Sequence, residues 1–367
     1  SGAPVPFDTR QILKRTLKDV ERRGWRFKSG IEIEFYLYKL LDAPSDPHQA
    51  TWPPLAPHLA MVHPGYNVLT EQMADLADAP LRIVQRTAQA LGMPLRSLEI
   101  ELGPSQVEAV FDVQEGLASA DLMVLFRSSV KQALRRAGYH ATFMCRPPFE
   151  SVIGSGWHLH QSLADAKGTN VFARASSAPD APASSALAYL SEAGSHYLGG
   201  LLAHAQGLAA LATPTINGYS RYQPNVLAPC SVIWGRDNRG ALLRVVGGAQ
   251  AGDAATRIEN RMGEPLANPY LYVASQLIAG VDGIERSLQS SPACATPYSN
   301  TAPSMPGSLH AALDALRADQ ALRSALGSVF VDYFCHIKTQ EISRNAQALA
   351  TGMTQQEWEA REYLSLY

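Results

Sequence analysis

The sequence predicts an α+β fold: a mainly antiparallel sheet with helices packed outside it. Three observations carry that prediction. Residues 29–40 and 155–163 alternate apolar and polar side chains with the period of a strand that has two different faces. Residues 97–111 read as two short strands around a Gly103-Pro104-Ser105 turn, which is an antiparallel hairpin. Several longer segments repeat their apolar residues at helical spacing instead.

The elements follow in order. Asp8 to Arg23 is an amphipathic helix; Asp8 and Gln11 cap it, Ile12, Leu13, Leu17 and Val20 form its stripe, and Gly24 ends it. In the strand at 29–40, Ile31, Ile33, Phe35 and Leu37 face one way, and Glu32, Glu34, Tyr36 and Tyr38 the other. Residues 43–65 are a long loop rich in Pro, His and Ala. A helix is expected over Asp78–Leu91, with Pro80 in its first turn. The 97–111 hairpin brings Glu101 and Glu108 together, and a long helix is expected from Asp112 to Arg136, closed by Gly138. His140–Cys145 is a strand. In the strand at 155–163, Trp157, Leu159, Gln161 and Leu163 share one face, and His158, His160 and Ser162 the other. Ala173–Ala186 is a low-complexity surface loop. Leu187–Leu211 is helical with breaks at glycine. Asn268–Ile284, Leu309–Leu326 and Val329–Gln347 are helices, and Ser287–Pro306 is a second flexible loop. No boundary splits the 367 residues into two domains.

Composition narrows the function. A net charge of −2 gives no electrostatic case for nucleic acid or an anionic membrane. No apolar run reaches the roughly 18 residues of a membrane span. The four cysteines are widely spaced and form no C-x-x-C pair, so neither a zinc ribbon nor a disulfide framework is indicated, and a reducing, cytoplasmic setting fits.

The chemistry lies in two sets of residues. Between Asn217 and Arg261 the chain places Arg221, Arg236, Arg239, Arg244, Arg257 and Arg261 among apolar neighbours such as Trp234 and Leu242. Guanidinium groups in such a setting clamp phosphate or carboxylate. The second set is Glu32, Glu34, Glu101, Glu108, Glu259 and His158. Like charges two residues apart on one strand face repel, and a cation between them removes that cost. An oxygen-rich set suits Mg²⁺ or Mn²⁺ better than zinc. Metals with arginines suggest phosphoryl transfer. No glycine-rich phosphate loop, HExxH or G-x-S-x-G motif is present.

These residues sit in a series of motifs: E-I-E at Glu32–Glu34; E-L-G-P-S-Q-V-E at Glu101–Glu108; G-S-G-W-H-L-H-Q-S-L at Gly154–Leu163; N-G-Y-S-R at Asn217–Arg221; A-P at Ala228–Pro229; D-N-R with Arg239, followed by Arg244; R-I-E-N-R at Arg257–Arg261; and N-P-Y-L from Asn268. In that order they resemble the catalytic domain of the glutamine synthetase family. The resemblance implies that the antiparallel sheet is curved, with the ligands on its concave face. It implies one metal on Glu34, Glu101 and Glu108 and another on Glu32, His158 and Glu259. His160, Ser162, Arg244 and Arg257 would contact ATP as co-substrate. Gly154, Arg221 and Arg261 would hold glutamate, and Arg239 would stabilise the phosphoryl group in transfer. The reaction implied is ATP-dependent amide formation through γ-glutamyl phosphate.

Two departures set expectations. Ammonia-using members carry a glutamate before the Ala-Pro pair, where this chain has Leu227. Leucine neither attracts a cation nor accepts a proton, but it lines an apolar pocket. That resembles the branch joining glutamate to organic amines, such as the γ-glutamylpolyamine synthetases. Ile153 replaces an asparagine before Gly154. The resemblance also makes residues 1–367 one catalytic domain without the family's N-terminal β-grasp domain, and implies a ring-shaped homo-oligomer when that domain is present. The alternatives are an ammonia-using glutamine synthetase and a non-catalytic binder of the same fold.

Overall fold

A computed structural model describes residues 5–41, 50–52, 55–68, 70–175, 180–224 and 226–366. The order of elements is α1 (Thr9–Arg22), β1 (Arg26–Leu40), β2 (Leu59–Met61), α2 (Glu71–Ala90), β3 (Leu95–Ile100), β4 (Gln106–Glu115), α3 (Ala118–Arg136), β5 (Tyr139–Thr142) and β6 (Trp157–Ala164). Then come α4 (Glu192–Ala203), α5 (Ala205–Ala212), β7 (Trp234–Arg236), β8 (Leu243–Val246), β9 (Arg257–Gly263), α6 (Pro269–Glu285), α7 (Leu309–Ala318), α8 (Gln320–Leu326), α9 (Ser328–Ala350) and α10 (Gln355–Glu359).

The nine strands of the described residues form one sheet in the order β3-β4-β1-β6-β9-β8-β7, with β2 and β5 both pairing with the C-terminal part of β1. All pairs are antiparallel except β7 with β8. The expected α+β class and antiparallel sheet are therefore what the chain builds. Strand β1 runs through the middle of the sheet, and its alternation sorts the two faces. Ile31, Ile33, Phe35 and Leu37 are buried in the main core with Val107, Ala109 and Phe111 of β4 and Leu159 and Leu163 of β6. Helices α1, α3, α4 and α6 contribute the other side of that core. A buried polar chain ties sheet to helices. Tyr197 donates to Gln161, and both Gln161 and Asn260 donate to the Gln276 side-chain oxygen. The Gln276 oxygen is thus shared by two donors, as burial favours, while its amide nitrogen is buried without a partner.

Several boundaries differ from expectation for identifiable reasons. Helix α2 begins at Glu71, so Pro80 lies in its interior rather than its first turn. Met73 and Ala77 are buried along with Pro80, Val84 and Ala88, so one apolar stripe continues through the proline. Strand β4 runs on to Glu115, and α3 starts only at Ala118, because Lys28 and Ser29 of β1 still pair with Glu115 and Gln114. The strand expected to Cys145 ends at Thr142. The break in the 187–211 helix falls at His204 rather than at a glycine, and Leu309–Leu326 is split by Asp319, whose side chain caps α8. Asp8 caps α1 by accepting from the Gln11 amide, a contact worth about 1 kcal/mol. The segment 287–306, expected to be a flexible loop, is irregular but tied down. Trp234 donates to Ser291 O at 2.6 Å, Cys294 N to Trp234 O, and Met305 N to Cys230 O. Parts of the other two expected loops, at 42–49, 53–54 and 176–179, lie outside the described residues.

Candidate active site

The polar face of the sheet collects charge from five adjacent strands. Register places Glu34 opposite Glu108, Glu32 opposite His158, His160 opposite Glu259, and Glu259 opposite Arg244. Alternation puts Ser162 on this same face, and Glu101 directly follows β3, just before the turn. His158 Nδ1 is 3.5 Å from Glu32 and 3.8 Å from Glu259, and its Nε2 is 3.8 Å from Glu34. His160 Nε2 meets Glu32 at 2.9 Å, while its Nδ1 accepts from Arg257 Nε at 3.0 Å. Among the described residues two groups bring ligand atoms within 4.8 Å of one another: Glu32, Glu108 and His158, and Glu32, His160 and Glu259. Glu32 is common to both, and His160 packs as tightly among the carboxylates as His158 does. Glu34, 3.8 Å from His158, and Glu101 border these groups without belonging to either.

Crowding perturbs the titration of these groups. Burial, with help from Glu34, Glu32 and Glu101, pushes the Glu108 carboxyl up to about 10. Burial and the charge of Glu101 raise Glu34 to about 7. Burial raises Glu101 as well, and Arg239 acts against that rise. Burial also opposes ionisation of Glu32 and Glu259. The nearby His158 ring and the hydrogen bond of His160 nevertheless hold Glu32 far below the usual range, and His158 and Arg261 hold Glu259 at about 2. Burial and Arg261 lower His158 to about 4, so it is a neutral imidazole at pH 7. Its Nδ1 is buried without a hydrogen-bond partner. A neutral ring with an idle nitrogen, facing carboxylates that resist ionisation together, is a donor set that fits divalent cations.

The arginines surround this set. Arg244 donates to Glu259 at 2.9 Å and to Asp237 at 2.7 Å, and Arg261 donates to the other Glu259 oxygen. Arg221 is buried and donates to the carbonyls of Met262 and Arg261. The glycines before β6 make room for it. A Cβ on Gly154 would sit 2.9 Å from Arg221 Cγ, and one on Gly156 would lie 2.7 Å from both Arg221 Nη2 and His158 Nε2. Arg239 is exposed beyond β7. Arg236 is the arginine that falls elsewhere: it stacks 4.8 Å over the Tyr189 ring. Leu227 is 54% exposed at a φ of +56°, and its carbonyl accepts from Arg261 at 3.4 Å.

Some residues that shape the site were not singled out from sequence. Gln106 donates to Glu34 Oε2 and to Ser155 Oγ, each at 3.0 Å, and Gly156 N donates to the same Glu34 oxygen at 2.9 Å. The signal was available: Gln106 is two residues from Glu108 on the same strand face. The brace behind Arg221 carried no such signal. Asn217 opens the 3₁₀ turn Asn217–Arg221, and its side chain donates to Glu359 at 2.6 Å and to Arg146 O at 3.0 Å. Ile216 N donates to the Tyr363 hydroxyl at 3.2 Å.

Comparison with known proteins identifies the frame. The model of the glutamine synthetase catalytic domain matches residues 6–363. The chain belongs to the glutamine synthetase family. It is 40% identical to a γ-glutamylanilide synthase from an Acinetobacter species over 378 residues, covering all of this chain and 73% of that protein. It is 36% identical to a glutamine synthetase from Thermococcus kodakarensis, over 90% of this chain and 70% of the relative. It is also similar to a solved GmaS/ADP complex, with a TM-score of 0.78 and 29% identity over 98% of this chain and 78% of that one. Family membership makes the chain an ATP-dependent glutamate ligase that uses divalent metal ions. Among the described residues, no helix is long and apolar enough to cross a membrane.

Proposed function

We propose that this chain joins the γ-carboxylate of glutamate to an organic amine, using ATP, and that the face described above is where it does so. The observation that carries the reading is the crowded carboxylate–histidine face flanked by Arg221, Arg244, Arg257 and Arg261, with Leu227 held over Arg261. Glu32, Glu34, Glu101, Glu108, His158 and Glu259 hold Mg²⁺ or Mn²⁺, which would neutralise phosphate charge when bound. Arg244, Arg257, His160 and Ser162 bind ATP. Gly154 leaves room for Arg221, which binds glutamate together with Arg261. Arg239, exposed beyond β7, meets the phosphoryl group in transfer.

The chemistry has two steps. A γ-carboxylate oxygen attacks the γ-phosphorus, ADP leaves, and an acyl phosphate forms. The amine nitrogen then attacks the acyl carbon, phosphate leaves, and the amine loses a proton. A carboxylate is a poor electrophile until one oxygen becomes a leaving group, which is why ATP is needed. In the second step Leu227 favours an amine with an apolar alkyl or aryl body, since it offers neither charge nor a base to ammonium. The name and 40% identity of the anilide synthase support this reading; the similarity to glutamine synthetases keeps ammonia as the rival acceptor.

The test is phosphate release with glutamate and a panel of ammonium, monoamines, diamines and aniline. An organic amine should give the highest kcat/KM. Ammonium as the best acceptor would overturn the assignment. Leu227→Glu should move preference toward ammonium; unchanged preference would show that this position does not select the acceptor. The span of the family match supports reading the chain as one catalytic domain. Assembly into a ring-shaped homo-oligomer belongs to the same proposal and is read by sedimentation.

A further inference from the structure

On the side of α3 away from the proposed active site lies a cavity of about 490 Å³. Its walls come from Arg127, Ser128, Lys131 and Gln132 of α3, from Phe143, and from the turn at Leu266 and Asn268 between β9 and α6. Arg127 and Lys131 are four residues apart, so they share one helix face. Arg127 Nη1 donates to Pro265 O at 2.7 Å and to Ala267 O at 3.1 Å, and Lys131 donates to Leu366 O at 3.0 Å. Among the described residues neither cation meets a carboxylate, and no carboxylate lines the cavity. Burial alone lowers Arg127, to about 10, and burial together with Arg127 lowers Lys131. Two desolvated cations that repel each other are costly unless an anion joins them.

Among the described residues a similar arrangement is found at a second buried arginine. Arg221 is buried, donates to two backbone carbonyls, and meets no carboxylate among the described residues. That is the arginine assigned above to an anionic substrate. Arg127 repeats this pattern beside a cavity with further polar groups. Ser128 and Gln132 carry donors. Asn268 uses its side-chain oxygen to cap α6, which leaves its amide hydrogens as donors.

We propose that this cavity is a second anion site, taking one phosphate or carboxylate group of a small molecule between Arg127 and Lys131. Phe143 and Leu266 flank the site and suit a ligand with a short apolar body. An anion here bears on the turn that follows Glu259 and Arg261 along the chain. The site stands on its own residues and does not depend on the identity of the amine.

Isothermal titration of the intact chain with inorganic phosphate, and separately with succinate at matched ionic strength, tests it. One event is expected that weakens about tenfold in Lys131→Gln and in Arg127→Gln, the cost of one charge-assisted hydrogen bond. The same event should persist in Arg221→Gln. The arm that binds more tightly tells phosphate from carboxylate. Circular dichroism checks that each variant folds; if Arg127→Gln does not, Lys131→Gln decides. Absence of binding to the unmodified chain, affinity unchanged in Lys131→Gln, or binding lost only in Arg221→Gln would overturn the proposal.

Discussion

Among the described residues two places bury histidine among carboxylates, and they are built to opposite ends. Behind the sheet, His204 sits between Asp319, at 2.6 Å from Nδ1, and Asp282, at 2.9 Å from Nε2. Burial opposes its charge, but the two aspartates more than offset that, and its pKa is raised. Both ring nitrogens have partners, so the cluster is complete in itself. On the polar face, carboxylates outnumber the imidazoles, His158 is driven to its neutral form, and one of its buried nitrogens has no partner. A structural cluster satisfies its own charges. A cluster made to receive something leaves them unsatisfied.

The contrast can be broken most sharply at Glu108. Glu108→Gln should lower metal-dependent phosphate release at least about 100-fold, since even residues behind metal ligands cost 10–100-fold. In metal-free buffer the same change should leave the melting temperature unchanged or higher, because burial and the neighbouring carboxylates already force that carboxyl into its neutral form, and glutamine is neutral without that cost. A lower metal-free melting temperature would mean that the front cluster, too, is self-satisfied.

His204→Gln should do the reverse: destabilise the fold by about 2 kcal/mol, the scale of a charged hydrogen bond, with no change in the KM for any substrate. The pH dependence fixes the sign. The folded pKa lies above the unfolded value of 6.5, so the histidine's contribution is complete below about pH 6.5 and fades as pH rises through the folded value. Denaturant melts of both proteins should therefore show their largest gap in mildly acidic buffer and a smaller one in alkaline buffer. A gap independent of pH would remove the charged histidine from the account.

The smallest expected effect lies between the two regions, in the brace behind Arg221. Glu359→Ala removes the partner of Asn217 and should raise the KM for glutamate about fivefold, the equivalent of one ordinary hydrogen bond. ADP affinity should stay the same, as β8 and β9 do not depend on that contact. Equal loss of nucleotide and glutamate binding would point to general loosening instead.

The two clusters also differ in how far they could be read from the chain. The front cluster was legible because strand alternation fixes side-chain direction: Glu32 and Glu34, like His158 and His160, share a face whatever the rest of the fold does. Pairing was less legible, since Glu259 meeting His160 on one side and Arg244 on the other depends on sheet order, which alternation does not contain. The short strands β7 and β8 were hidden in the arginine-rich stretch for the same reason. The back cluster was invisible, because His204, Asp282 and Asp319 meet only through helix packing. Nothing local marks α10 and the turn after it as the support of Asn217–Arg221. Helix starts were misjudged where tertiary pairing overrode local signals, as at α2, which continues through Pro80, and at α3, which waits for β4 to end.

The brace has a consequence for how the protein is made. The partners of Ile216 and Asn217 lie 147 and 142 residues further along the chain. At synthesis rates of roughly 5–20 residues per second, the turn bearing Arg221 waits about seven to thirty seconds for the segment that holds it. During that interval the nascent chain can already possess its central strands but not a fixed anion-binding turn. Ligand-binding competence in this protein is therefore conferred late, by a stretch that touches no substrate.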